Sequence, residues 1–422
     1  MLVRFVVAAS IVSAGSLRAQ DTAITRLLLA NRHPIALNGG RLVGAGGRHL
    51  VEQARSARFV LLGEEHGVAE VPRAMGALLR ELRPAGFHTL AIEVSPSRGR
   101  ELDGMARGAR TPAELAARLD SSLASWRTAV PFYTLTEERE MLRDALTPQD
   151  RLPPMRVLGL DYEVSADRQY LEELERLAPP SGRSAVRAAR GLADSGFARL
   201  VRAGDPSGLF AFSAPESVFT ALRTAMGPRP PARAEEIVSL LQRTARINRL
   251  FVAGRGYESN QERSRFLREN FTRARASTLG ATDRVVFKFG GDHMMRGWNY
   301  THALDLGTAA AMLAEEQGGT SYHVLLMGGS GTRSSRMNIV KAQYEPIGTA
   351  EVDGPMLAWL APALPDSGWV LFDVKAVRTA AMQLGRPLRL LPIQDRFLHA
   401  YDAIVVFTGS HPGGIRPLRT TP

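Results

Sequence analysis

Seven short runs rich in Val, Ile, Leu and Phe recur along the chain, at Arg58–Leu62, Phe87–Glu93, Met155–Asp161, Arg284–Phe289, Tyr322–Met327, Trp369–Val374 and Ala403–Phe407. Runs of this length without apolar–polar alternation suit parallel strands buried on both faces. A parallel pair needs a crossover. Between the first two runs, Val71, Met75, Leu78, Leu79 and Leu82 recur at the spacing of one helix face, and Pro72 fits a first turn. Strand, helix and strand over about 30 residues make one βαβ unit. The expected fold class is therefore α/β, a three-layer α/β/α arrangement with a mainly parallel sheet. Residues of about 99–150 and 166–278 leave this alternation. Segments such as "TPAELAARL" and "TLTEEREMLRDAL", with turns such as "LAPPSGR" and "GPRPPAR", predict a large helical insertion forming a cap.

The first 20 residues read differently from the rest. Arg4, an apolar stretch from Phe5 to Leu17 and small residues up to Gln20 have the layout of a secretory signal peptide. The expectation is an exported protein, periplasmic or secreted, with residues 21–422 as a single α/β domain. The leader is too short to span a bilayer and no other stretch approaches that length, so no transmembrane anchor is expected. The chain has no cysteine, which excludes disulfides, thiol catalysis and thiolate metal sites. Its formal net charge is +11, yet the arginines are scattered among acids with no basic tract. A nucleic-acid partner needs a clustered basic stripe, so none is expected.

Polar residues gather where the runs end. "LLGEEHG" closes the first run with Glu64, Glu65 and His66, and "LAIEV" closes the second with Glu93. "RVLGLDYE" places Asp161 and Glu163 after the third, and "VVFKFGGDH" places Asp292 and His293 after the fourth. Open parallel sheets bind ligands outside the carboxyl ends of their strands, so four successive ends would deliver acids and imidazoles to one edge. Each residue also has an ordinary use: an acid after a strand caps a helix, and Asp161 can bond a loop amide. Thr134 and Glu137 have the spacing of a capping box. In "NQERSRFLREN", Arg263, Leu267 and Asn270 share one helical face, so Arg263 and Asn270 either point into a cleft together or belong to a solvated face with salt bridges.

Nucleophile and phosphate motifs are missing. "GGSGT" around Ser330 lacks the last glycine of a nucleophile elbow, and no Walker lysine follows a glycine loop. A hydrolase built on these residues uses water. An imidazole oriented by a carboxylate can deprotonate it directly, with no cofactor. Alternatively, His66, His293, Glu64 and Glu93 would hold a divalent metal that acidifies bound water. Spacing decides neither.

In that order, "LLGEEHG", "LAIEV", "RVLGLDYE", "RSRFLREN" and "VVFKFGGDH" resemble the erythromycin esterase family, whose superfamily includes the ChaN haem-binding and Tiki proteins. The resemblance runs from about residue 45 to about 410. The family's glycine–glutamate–x–threonine–histidine–glycine motif is matched by Glu64 and His66 in a segment one residue shorter and without the threonine, a form that looks more like ChaN. Arg263 and Asn270 match the family's helix motif, where Ser264 replaces an acid and Leu267 a methionine. The resemblance implies an esterase-like hydrolase acting on a small-molecule substrate. His66 would be the general base, oriented by Glu64 or Glu93, with His293 polarising the substrate or positioning water. Arg263 would face developing negative charge, and Glu65, Asp161 and Asn270 would contact substrate. A ChaN-like haem- or ligand-binding protein without catalysis, and a Tiki-like metal-dependent hydrolase, are the alternatives it implies.

Overall fold

The computed structural model describes residues 23–125, 133–149, 152–163, 166–338, 343–349, 357–384, 390 and 392–414. The leader expected over residues 1–20 lies outside them. Eleven strands are described: β1 (Arg32–Asn38), β2 (Arg41–Val43), β3 (Phe59–Glu64), β4 (Phe87–Ile92), β5 (Arg156–Gly159), β6 (Arg284–Gly290), β7 (Ser321–Gly328), β8 (Thr332–Asn338), β9 (Gln343–Gly348), β10 (Gly368–Asp373) and β11 (Ala403–Thr408). Nine of them form one sheet in the order β2-β1-β10-β11-β7-β3-β6-β4-β5, and β8 and β9 pair separately. From β11 to β5 every pairing is parallel.

The run at Trp369–Val374 departs from the expectation. It is β10, antiparallel to both β11 and β1. An apolar run reports burial and carries no sign of direction, which is set by the connection. β1 escapes notice because six of its residues alternate between exposed and half-buried around a buried Ile35, as befits a strand near the sheet edge.

Period-two alternation in the central strands sorts side chains onto two faces. Val60, Leu62 and Val286 face one apolar core together with helices α1 (Gly44–Ser56), α2 (Glu70–Leu82), α3 (Pro96–Gly108), α4 (Pro112–Ser125) and α5 (Thr136–Leu146). Phe59, Leu61, Phe287 and Phe289 face a second core on the opposite side. The helices α6 (Asp167–Leu177), α7 (Arg183–Ala203), α8 (Glu216–Met226) and α9 (Ala232–Val252) bury a third, separate core built on Tyr170, Leu174, Phe219 and Ile237. The helix α10 (Gly256–Ser277) is the seam: Phe266 faces that third core, while Leu267 and Phe271 face the sheet. The phenyl rings of Phe59, Phe271 and Phe287 meet edge to face at 5.4–6.1 Å between centroids. This rigid contact sets where the first turns of α10 hang over the sheet edge. No helix among the described residues is long and apolar enough to cross a membrane.

Candidate active site

Parallel pairing puts the carboxyl ends of β3, β4, β5 and β6 along one edge, as their sequence implies. Glu64 is the last residue of β3, opposite Gly290 of β6, and Glu93 directly follows β4. Asp161 lies two residues beyond β5, and His293 sits in the four-residue helical turn Gly291–Met294 after β6. The helix α11 (Leu306–Glu316) contributes Asp305 as its cap, with Oδ1 accepting from the Leu306 N–H at 2.7 Å.

These residues form an alternating row of carboxylates and imidazoles. Glu64 Oε1 lies 2.9 Å from His66 Nδ1, and His66 Nε2 lies 3.5 Å from Glu93 Oε2. Glu93 Oε1 lies 3.7 Å from His293 Nε2, and His293 Nδ1 lies 2.9 Å from Asp305 Oδ2. Each ring thus has Nδ1 against a carboxylate, which fixes the proton of the neutral form there and turns Nε2 toward Glu93. His66 is the reachable member of the row. Its side chain is 27% exposed, against 1% for Glu64 and 11% for His293.

Gly290 permits the approach. A Cβ there would stand 2.9 Å from His66 Nε2, and its backbone N–H donates to Glu93 Oε2 at 2.6 Å. Burial alone would raise the Glu93 carboxyl; His66, His293, Arg263 and the Gly290 N–H outweigh it and bring it down to about 2. For His293, burial and the nearby Arg263 act to lower its affinity for a proton. Asp305 and Glu93 prevail, and the imidazole sits above its ordinary value. Asp305 also accepts from Ser264 Oγ at 2.7 Å and Asn299 Nδ2 at 3.2 Å. Ser264, which stands where the resembled family has an acid, therefore works by orienting the partner of His293.

The four residues expected to contact substrate divide. Arg263 reaches the row: Nε and Nη2 meet Asp161 at 3.1 and 2.5 Å, and Nη2 also meets Glu93 Oε1 at 2.8 Å. Asp161 is the anchor that aims this guanidinium at Glu93, and it accepts from the Tyr162 N–H as well. Asn270 shares the helical face of Arg263 but not its cleft. Seven residues of helix are about 10 Å, which sets Asn270 beside the end of β5, where its Nδ2 donates to the Leu160 carbonyl at 2.7 Å. Asn270 also lines a cavity of about 890 Å³ that opens between α9 and α10, away from the row. Asn270→Ala is expected to lower stability by roughly 1–2 kcal/mol, the cost of a buried carbonyl left unsatisfied, read as a lower urea midpoint. Glu65 turns away from His66. Its Oε2 accepts from the Gly328 N–H at 2.7 Å and its Oε1 meets Arg333 Nε at 3.1 Å, tying the end of β7 to β8.

Three residues of the site lie outside the sequence reading: Asp305, and the buried pair Lys288 and Glu138. Lys288 Nζ lies 2.5 Å from Glu64 Oε1 and 3.0 Å from Glu138 Oε2, with all three side chains buried. Burial would raise Glu64, but Lys288 and His66 hold it below the usual carboxylate range. Glu138 goes the other way, pushed up to about 7 by burial, with Glu64 adding to it and Lys288 opposing. Thr134 and Glu137 do not form the expected capping box: α5 is capped by Leu135, and Glu137 accepts from Arg73 Nη2 at 3.0 Å and the Gly414 N–H at 2.7 Å. The cap falls one residue later than that spacing implies, at Leu135, so the buried Glu137 faces α2 and the backbone of Gly414 instead. The signal for Lys288 was present: it is one of three lysines in the chain and interrupts an apolar strand.

The row as it stands fits neither a metal ion nor a haem iron held by His66 or His293. Among the described residues no group of three His, Asp or Glu is placed to hold a metal ion, and the cations Arg263 and Lys288 already occupy Glu93 and Glu64. An axial haem ligand presents an imidazole nitrogen to an open slot; here both Nε2 atoms face the Glu93 carboxylate.

No protein-family model and no curated protein matches the chain. Solved structures share its fold. A protein from Bacillus cereus superposes with a TM-score of 0.57 at 14% identity, covering 94% of this chain and 99% of its own. An erythromycin esterase mutant, EreC in its open conformation, gives 0.55 at 15% identity over 87% of this chain and 94% of its own. A succinoglycan biosynthesis protein gives 0.54 at 12% identity over 94% and 99%. The resemblance read from the motifs thus extends to the whole architecture, and at such identities it concerns the fold alone.

Proposed function

We propose that the protein is an exported hydrolase that cleaves an ester or related bond of a small molecule, with water as the nucleophile and His66 as its general base. One observation carries the reading: two imidazoles, each backed by a carboxylate, converge through Nε2 on one carboxylate at a strand-end edge. The fold shared with an erythromycin esterase supports it.

Glu64 holds the His66 proton on Nδ1, leaving the Nε2 lone pair to take a proton from water as its oxygen bonds to the acyl carbon. The new imidazolium is stabilised by Glu64 on one side and Glu93 on the other. His293, kept protonated by Asp305, donates from Nε2 to the departing alkoxide as the acyl C–O bond breaks. Passing the proton gained by His66 to His293 restores both rings, and the products are one acid and one alcohol. Arg263, bound to Asp161, keeps Glu93 in place and adds positive charge near the oxygen that becomes anionic.

The test is a panel of small-molecule esters with purified protein and the Asp305→Asn variant. A base that must be neutral and an acid that must be protonated give a bell-shaped rate profile, whose alkaline limb belongs to His293. Asp305 does more than Glu93 to raise His293, so its removal lowers that group and moves the alkaline limb to lower pH. A limb that stays in place would remove His293 from the acid role; no turnover on any ester would remove the reading itself.

A further inference from the structure

Lys288 is out of character with its strand. β6 is buried along its length, and an ammonium there gives up its hydration for two carboxylates, Glu64 and Glu138, and the ring of Tyr133 at 5.4 Å. The hydrolysis outlined above uses neither Lys288 nor Glu138. Yet Glu64 Oε1 is the atom that meets both Lys288 Nζ and His66 Nδ1. The groups around it are Lys288 from β6, Glu138 from α5 and His66 itself. Of the other nearby cations, Arg263 is spent on Glu93 and Asp161, and Arg333 donates to the His66 carbonyl at 3.3 Å. Among the described residues, Lys288 is therefore the fixed cation in contact with Glu64.

We infer that Lys288 is the positioning residue of the His66 base: by keeping Glu64 a carboxylate it sets the imidazole proton on Nδ1 and the lone pair on Nε2, while Glu138 lies against the other side of the buried ammonium. The inference rests on the role proposed for His66 Nε2. The physical reason lies in what Glu64 does without its cation. A carboxylate sealed from water with no partner charge takes up a proton, and a protonated carboxyl is a donor. It would donate to His66 Nδ1 and drive the ring to the Nε2–H form, which offers water a donor where catalysis needs an acceptor. The same atoms would remain in the same places, with the base switched off.

The experiment uses the full chain with ¹⁵N-labelled histidine, His66 being assigned by its loss in His66→Gln. Ring nitrogen shifts distinguish the two tautomers with no substrate present. Wild type and Glu138→Gln, in which Lys288 still serves Glu64, are expected to show Nδ1–H. The double variant Lys288→Met/Glu138→Gln removes the cation together with its second acid, so that no other buried acid is left without the ammonium beside Glu64. It is expected to show Nε2–H, with kcat on a responsive ester about 10²-fold lower or more and KM little changed. If that protein does not fold, Lys288→Gln, which keeps a donor and drops the charge, carries the same expectation. A folded variant without the ammonium that still holds the proton on Nδ1 overturns the inference. A tautomer that switches in a protein hydrolysing no ester upholds it and removes the hydrolase reading instead.

Discussion

His66→Ala is expected to lower kcat by about 10³-fold on any ester the protein hydrolyses, the usual weight of a general base, with the fold retained. The fold should survive because the residue beneath loses little. Glu64 keeps its ammonium partner Lys288 at 2.5 Å when the imidazole is gone, so no buried carboxylate is stranded. Glu93 likewise keeps Arg263 and the Gly290 N–H. The site therefore separates chemistry from stability at this one position. Circular dichroism and a urea midpoint within error of wild type, together with the lost turnover, are the expected pair of results. Wild-type turnover in the variant would remove His66 from the base role, and catalysis would have to be sought elsewhere on the edge.

What the sequence could convey about this site follows from how each residue is held. Glu64, Glu93 and His293 were legible because they break off apolar strands, and strand ends in a parallel sheet share an edge whatever their separation along the chain. Arg263 was legible because its helical face repeats through Leu267, which packs on the sheet. The place of Asn270 is hidden for a related reason: a shared helical face says nothing about depth, and two turns of helix separate the cleft from the end of β5, where Asn270 bonds the Leu160 carbonyl. Asp305 carries no signal beyond that of a helix cap, and its second bond, to His293, depends on how α11 docks. Glu138 sits in the first turn of a helix beside Glu137, where an acid favourable to the helix dipole needs no further account. Its partner in β6 is 150 residues away, so only the packing of α5 on the sheet brings the two together. Direction was hidden in the same way at β10, whose apolar run is as compatible with antiparallel as with parallel pairing.

The buried triad also predicts how stability should follow pH. Glu138 is raised from an ordinary 4.5 to about 7 in the folded chain, so between those values the folded state binds more protons than the unfolded state. Stability must then fall as pH rises through that window, because ionising Glu138 places a second carboxylate against one ammonium out of reach of water. The shift corresponds to about 3 kcal/mol lost by the time the group is fully ionised. Glu93 acts in the opposite sense and at a different place. Held down to about 2, it contributes stability above its unfolded value that is lost only as pH falls toward 2. The two effects can be separated by substitution. Glu138→Gln should change the melting temperature little at pH 5, where the wild-type group is already protonated, and raise it at pH 8, where the wild type carries the charge and the variant does not. Lys288 still has Glu64 in the variant, so the amide removes the excess negative charge without stranding the ammonium. Equal melting temperatures at pH 8 would mean that Glu138 is relieved in some other way. A lower one would mean that the Glu138 carboxylate stabilises the folded chain, and that Lys288 needs both of its acids.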